Sequence, residues 1–127
     1  MADRKILVAD DNQQIRLLVS AALRSLGHEI LQAVDGENAL ETALAEHPDL
    51  VLLDVTMPKL DGFEVLGFLR KQPAMSDVKV IMLTTAAQKD DLRHGADLGC
   101  DEYVTKPFDP RALRELVERM LSGECRA

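Results

Sequence analysis

Three carboxylates, a hydroxyl and an ammonium each follow a short apolar run: Asp10 and Asp11 after Ile6–Ala9, Asp54 after Leu50–Leu53, Thr84 after Val80–Leu83, and Lys106 after Glu102–Thr105. In an open parallel sheet the carboxyl ends of the strands converge on one crevice, so residues far apart in the chain share a pocket there. Carboxylates gathered in one place repel unless a cation lies between them. A hard divalent cation such as magnesium takes oxygen ligands and keeps several waters, so two carboxylates, a backbone carbonyl and a phosphate oxygen suffice without Cys or His. A carboxylate ending a central strand can attack a phosphoryl group to give an acyl phosphate. Lysine and threonine side chains then donate hydrogen bonds to the phosphoryl oxygens, and the chemistry is the stabilisation of spread negative charge.

Singly, each of these residues has a blander explanation. An Asp before a helix is usually an N-cap, and a Lys-Pro pair or a strand-end Thr usually belongs to a turn. Their recurrence at the ends of separate strands is what argues for a site.

The elements that must position them alternate. Strands are expected near Lys5–Ala9, Glu29–Ala33, Leu50–Leu53, Val80–Leu83 and Glu102–Thr105, separated by helix-length segments, the pattern of βα units and a parallel sheet. Leu50–Leu53 and Val80–Leu83 are apolar without alternation, as strands covered on both faces are. The first helix carries Ile15, Leu18, Val19, Ala22 and Leu26 at helical spacing, starts from a cap among Asp10, Asp11 and Asn12, and ends with Gly27 at C′. Ala39, Leu40, Ala43 and Leu44 mark the second, stopped by Pro48. A third runs from Gly62 to about Gln72 and is closed by Pro73. The segment from about Gln88 to Leu98 is the weakest, with few apolar positions and Gly95 inside it, and a poorly anchored helix is easier to move. Asp109 caps the last helix, Pro110 takes its first position, and Leu113, Leu116, Val117, Met120 and Leu121 form one stripe.

With 127 residues, the chain suits one domain with a core over about 4–121 and no output domain. A formal net charge of −7 disfavours direct nucleic-acid binding, because backbone phosphates would be repelled. Only four apolar residues follow the charged start, too few for a signal or membrane segment, and a cytoplasmic location is expected. Cys100 and Cys125 have no metal-ligand spacing and are expected as free thiols. His28, His47 and His94 are expected in surface or capping roles.

The acidic pair Asp10-Asp11, the stretch Asp54-Val-Thr-Met-Pro-Lys-Leu-Asp-Gly62, Thr84 and Tyr103-Val-Thr-Lys-Pro-Phe108 together resemble the receiver domain of two-component response regulators, the CheY-like family, over essentially the whole chain. The resemblance implies a flavodoxin-like, doubly wound (βα)5 α/β fold with a five-stranded parallel sheet in the order 2-1-3-4-5. It implies a phosphorelay protein that is a phosphoacceptor assisting its own phosphorylation and slow self-dephosphorylation, not an enzyme. Asp54 would accept a phosphoryl group from a sensor histidine kinase or histidine phosphotransfer protein, with Mg2+ bound and Mn2+ able to substitute. Asp11 and Asp54 resemble the direct metal carboxylates, Asp10 a carboxylate acting through water, and Thr56 the donor of a backbone carbonyl. Thr84 and Lys106 would hold phosphoryl oxygens, and Lys106-Pro107 resembles the family's cis peptide.

Thr84 and Tyr103 resemble the switch pair that couples the site to an outer face made by the 88–98 helix, the last strand and the last helix, where a downstream protein target would bind. A monomer or weak dimer is expected, since ion pairs of Asp97 or Asp101 with Arg114 or Arg119 would be exposed and worth little. The chain departs from the common pattern at Thr85, where the family usually has Ala or Gly; a β-branched side chain there is expected to slow small phosphodonors. Thr56 and Ala86 lack the carboxylate or amide that would promise fast self-hydrolysis.

Other functions fit less well. An aspartyl-nucleophile phosphatase of the haloacid dehalogenase type wants a second Asp where Thr56 stands, and a dinucleotide-binding protein wants a glycine-rich turn where Asp10-Asp11-Asn12 stands. A docking module that is never phosphorylated would be expected to have lost part of the acidic pair, Asp54, Thr84 and Lys106. A stand-alone regulator is expected, the alternative being a receiver module of a larger regulator with a DNA-binding or enzymatic output.

Overall fold

The computed structural model describes residues 4–55, 57, 59–75, 78–85, 102–106 and 108–122. Five parallel strands, β1 (Lys5–Ala9), β2 (Glu29–Ala33), β3 (Leu50–Asp54), β4 (Lys79–Thr85) and β5 (Glu102–Lys106), form one sheet in the order β2-β1-β3-β4-β5. Among the described residues four α-helices pack on it: α1 (Gln13–Arg24), α2 (Gly36–Glu46), α3 (Gly62–Arg70) and α4 (Pro110–Leu121). This is the doubly wound, flavodoxin-like arrangement expected from the sequence.

Alternate residues of the central strands feed two cores. Leu7, Ala9, Val51, Leu53, Val80 and Met82 pack with α2 and α3, while Ile6, Val8, Leu50, Leu52, Ile81 and Leu83 pack with α1 and α4. That division explains why β3 and β4 read as continuous apolar runs: helices cover both faces. β1 and β2 have the expected bounds, while β3, β4 and β5 extend slightly beyond theirs, and the extension takes Asp54 and Lys106 into β3 and β5.

Asn12 is the cap of α1, its side chain accepting from the amides of Gln14 and Ile15. The buried stripe of α1 centres on Val19 and Leu23, whereas Leu18, expected inside, is 43% exposed. The reason is angular: at 100° per residue Leu18 is a full step away from Val19 on the side opposite Leu23. Gly27 is left-handed at φ 81, but it stands two residues beyond the Ser25 cap, one later than expected. His47 takes the left-handed position that ends α2 ahead of Pro48, and Leu44 of that helix stays exposed.

The third helix ends at Arg70, and a 3-10 turn over Pro73–Met75 leads on to β4. Asp109 caps α4 with Pro110 at its first position, as expected. The expected 88–98 helix, with His94, Gly95 and Asp97, lies outside the described residues, as do Thr56, Ala86, Cys100, Asp101, Pro107 and Cys125. Among the described residues no helix is long and apolar enough to cross a membrane.

Candidate functional site

The order of the sheet changes direction between β1 and β3, and the crevice outside their carboxyl ends is where open α/β sheets bind ligands. Ala9 pairs with Leu53, so the residues that follow each of them, Asp10 and Asp54, emerge at the same level. Asp10 and Asp54 are buried and Asp11 is exposed, yet the three offer oxygens all within 4.8 Å of one another. Asp11 gives the cluster an open side.

Lys106 closes the other side from β5. Its Nζ donates to Asp10 Oδ2 at 2.8 Å and lies 3.2 Å from Asp54 Oδ1, across 96 positions of sequence. Burial pulls the ammonium's pKa down, but the hydrogen bond to Asp10 and the charges of Asp54 and Asp10 more than offset that, so it rests above its ordinary 10.5. Three carboxylates against one ammonium leave an excess of two negative charges. An all-oxygen donor set with that excess and one open side fits a hard divalent cation.

Every polar atom of Asp10 is engaged. Its N–H donates to the Ala33 carbonyl, its carbonyl accepts from Arg16 Nη1 at 2.7 Å, Oδ1 accepts from the Asn12 amide at 2.9 Å, and Oδ2 accepts from Lys106. Of the neighbouring pair, Asp10 is therefore the fixed member and Asp11 the accessible one. Thr84 is buried near the end of β4, opposite Thr105. Thr85 pairs with Lys106 in the same register, and its side chain lies outside the description.

The segment after Asp54 is held by close backbone approaches that only glycine permits. A Cβ on Gly62 would stand 2.4 Å from the Asp54 carbonyl oxygen, and one on Gly36 would overlap the Leu60 carbonyl at 1.8 Å. The Gly62 amide donates to the Val55 carbonyl, and Asp61 and Glu64 form a reciprocal capping box at the start of α3. Lys59, left-handed at φ 72, lies 3.7 Å from both Asp35 and Glu37. These contacts brace Val55 and residues 59–62.

Tyr103 lies on β5 beside Met82 and packs, partly buried, against the α2–α3 core. A groove of about 450 Å³ runs between β5 and α4, lined by Val104, Phe108, Leu113, Leu116 and Arg119 among others. Arg114 reaches the Ser25 hydroxyl of its own chain at 3.4 Å. His28 accepts the Arg4 amide on Nδ1.

The model of the response regulator receiver domain matches residues 6–118. The chain belongs to that family. The receiver is 46% identical over 118 residues to a Cyanophora paradoxa protein named "Probable transcriptional regulator ycf27", covering 93% of this chain and 48% of that protein. It is 44% identical to the alkaline phosphatase synthesis transcriptional regulatory protein PhoP of Bacillus subtilis, covering 94% of this chain and 49% of PhoP. The chain thus spans about half the length of these curated relatives. Among solved structures, the chemotaxis response regulator CheY4 of Vibrio cholerae superposes with a TM-score of 0.87 at 33% identity, covering 93% of this chain and 98% of that one. The receiver is a two-component signalling domain.

Sequence reasoning missed Arg16, Gln32 and the Gly36–Leu60 approach. An arginine early in a helix reads as solvated, and contacts between residues 24 positions apart leave no local signal.

Proposed function

We propose that this receiver accepts a phosphoryl group on Asp54 from a phosphohistidine of a sensor histidine kinase or histidine phosphotransfer protein. The observation that carries this is the cluster of Asp10, Asp11 and Asp54 oxygens within 4.8 Å, with the Lys106 ammonium bridging Asp10 and Asp54. In the transfer, an Asp54 oxygen forms a bond to phosphorus as the P–N bond breaks. The imidazole nitrogen leaves with the electron pair, giving an acyl phosphate and a free histidine. Lys106 moves from carboxylate to phosphoryl oxygen, and the Thr84 hydroxyl donates to another oxygen.

Asp11 and Asp54, with the carbonyl of residue 56, would hold Mg2+ or Mn2+, and Asp10 would support the ion through water. When bound, the cation supplies neutralising charge for the transferred group. Phosphorylation would shift the domain toward a state in which Thr84 approaches the phosphoryl group and Tyr103 turns inward, changing the face around β5 and α4 for a protein target. Only differential stabilisation of one state can produce such a shift.

Intact-mass spectrometry after incubation with magnesium and acetyl phosphate tests the reading. Wild type should gain about 80 Da per phosphoryl group, and Asp54→Ala or magnesium-free samples should gain nothing. No gain from acetyl phosphate or from a phosphohistidine protein would sink it.

A second reading is favoured by the half-length match to transcriptional regulators. On it, the receiver controls a DNA-binding segment of the same polypeptide, and the phosphoryl chemistry is unchanged. The intact mass of the native protein separates a module from a single-domain regulator.

A further inference from the structure

Resting on the receiver reading above, we propose that Arg16 is a positioning residue for the cation site, acting on the backbone of Asp10 through a side-chain relay that runs to Gln32 and Ser20. Its Nη1 donates to the Asp10 carbonyl at 2.7 Å, while Nε donates to Gln32 Oε1 at 3.2 Å. Gln32 in turn donates through Nε2 to the buried Ser20 hydroxyl at 3.3 Å. The guanidinium is thereby held from two directions, by the edge strand β2 and by the turn that carries the acidic pair. A planar fork with fixed donor directions suits this task as a flexible ammonium does not.

The Asp10 carbonyl belongs to the peptide that joins Asp10 to Asp11. Fixing that oxygen fixes the plane of the peptide, and with it the direction in which Asp11 leaves the turn. Asp11 is the exposed member of the cluster, and among the described contacts no hydrogen bond to its own side chain orients it. Its aim toward the shared position must come from the backbone. Partners that orient a metal-binding group from outside the ligand set govern affinity in this way.

The alternative role for Arg16 is electrostatic, and it has the opposite sign. A positive charge beside a cation site repels the cation, so removing the charge would tighten binding. Removing a positioning group would weaken it.

Isothermal titration of Mg2+ into the metal-free wild type, Arg16→Met, Gln32→Ala and the double variant decides between them. Positioning gives an Mg2+ affinity about tenfold lower in Arg16→Met, a smaller loss in the same direction in Gln32→Ala, and no further loss from Gln32→Ala on the Arg16→Met background. Affinity equal to or tighter than wild type in Arg16→Met overturns the proposal. If Arg16→Met fails to show cooperative urea unfolding, Gln32→Ala carries the test, and an unchanged affinity there overturns it. A wild-type protein that binds no Mg2+ would overturn the proposed metal-assisted phosphoryl acceptance as well, whereas binding in wild type with unchanged variants overturns only the role of Arg16.

Discussion

The two sides of the candidate site differ in how firmly they are held. On the β1–β3 side, Ile6–Asp10 and Leu50–Asp54 are buried without exception, and Asp10 has a partner for each polar atom. On the far side no residue of β5 is fully buried, and Tyr103 and Val104 only partly join the two cores. The proposed chemistry, which needs fixed oxygens, occupies the first side. Tyr103, proposed to transmit the signal, occupies the second, where fewer buried contacts oppose movement.

The largest test of the difference is truncation. Leu52→Ala, in the middle of the buried strand, should cost about 3 kcal/mol as a cavity that its packed neighbours cannot fill. Val104→Ala on β5 should cost about 1 kcal/mol, since a half-buried side chain gives up less. Urea unfolding reads both, and equal costs would remove the contrast in packing.

Lys106 joins the two sides, so its removal tests whether they depend on each other. Lys106→Met leaves Asp10 and Asp54 facing one another without their cation and should cost about 2 kcal/mol at neutral pH in metal-free buffer, less than a fully buried pair because the lysine retains some exposure. The pH dependence has a definite sign. The folded pKa lies above the ordinary 10.5 because the hydrogen bond to Asp10 and the charges of Asp54 and Asp10 outweigh burial. The ammonium's contribution is therefore fully present below 10.5 and is lost as pH rises through the folded value. Unfolding curves between neutral and alkaline pH should show that loss in wild type, and the variant should lack it.

The strands and their carboxyl ends are where sequence and structure agree most closely. Leu50–Leu53 and Val80–Leu83 read correctly because strands covered by helices on both faces must be apolar at every position. Asp10, Asp54, Thr84 and Lys106 were legible because strand ends recur at intervals that the alternation of elements exposes. What stayed hidden depends on three-dimensional reach. Leu18 lies a full step off the buried stripe of α1, and an apolar residue beside a stripe reads like one within it. Gly36 is needed because the Leu60 carbonyl passes where its Cβ would be, and Arg16 finds the Asp10 carbonyl by folding back along its own helix. Neither contact has a periodicity to betray it.

The smallest effect bears on what the firm side costs when no cation is present. Asp11 adds a third carboxylate to a cluster that one ammonium does not balance, and it does so from an exposed position. In metal-free buffer Asp11→Ala should therefore be more stable than wild type, by about 0.5 kcal/mol, because repulsion at an exposed site is screened by water. Added Mg2+ should reverse the order. A ligand that binds only the folded state stabilises in proportion to the logarithm of its concentration over its dissociation constant, so the wild-type Tm should climb with Mg2+ while that of Asp11→Ala stays nearly flat. Parallel rises in both proteins would mean that Asp11 is not a ligand, and the contrast between a saturated Asp10 and an available Asp11 would lose its functional meaning.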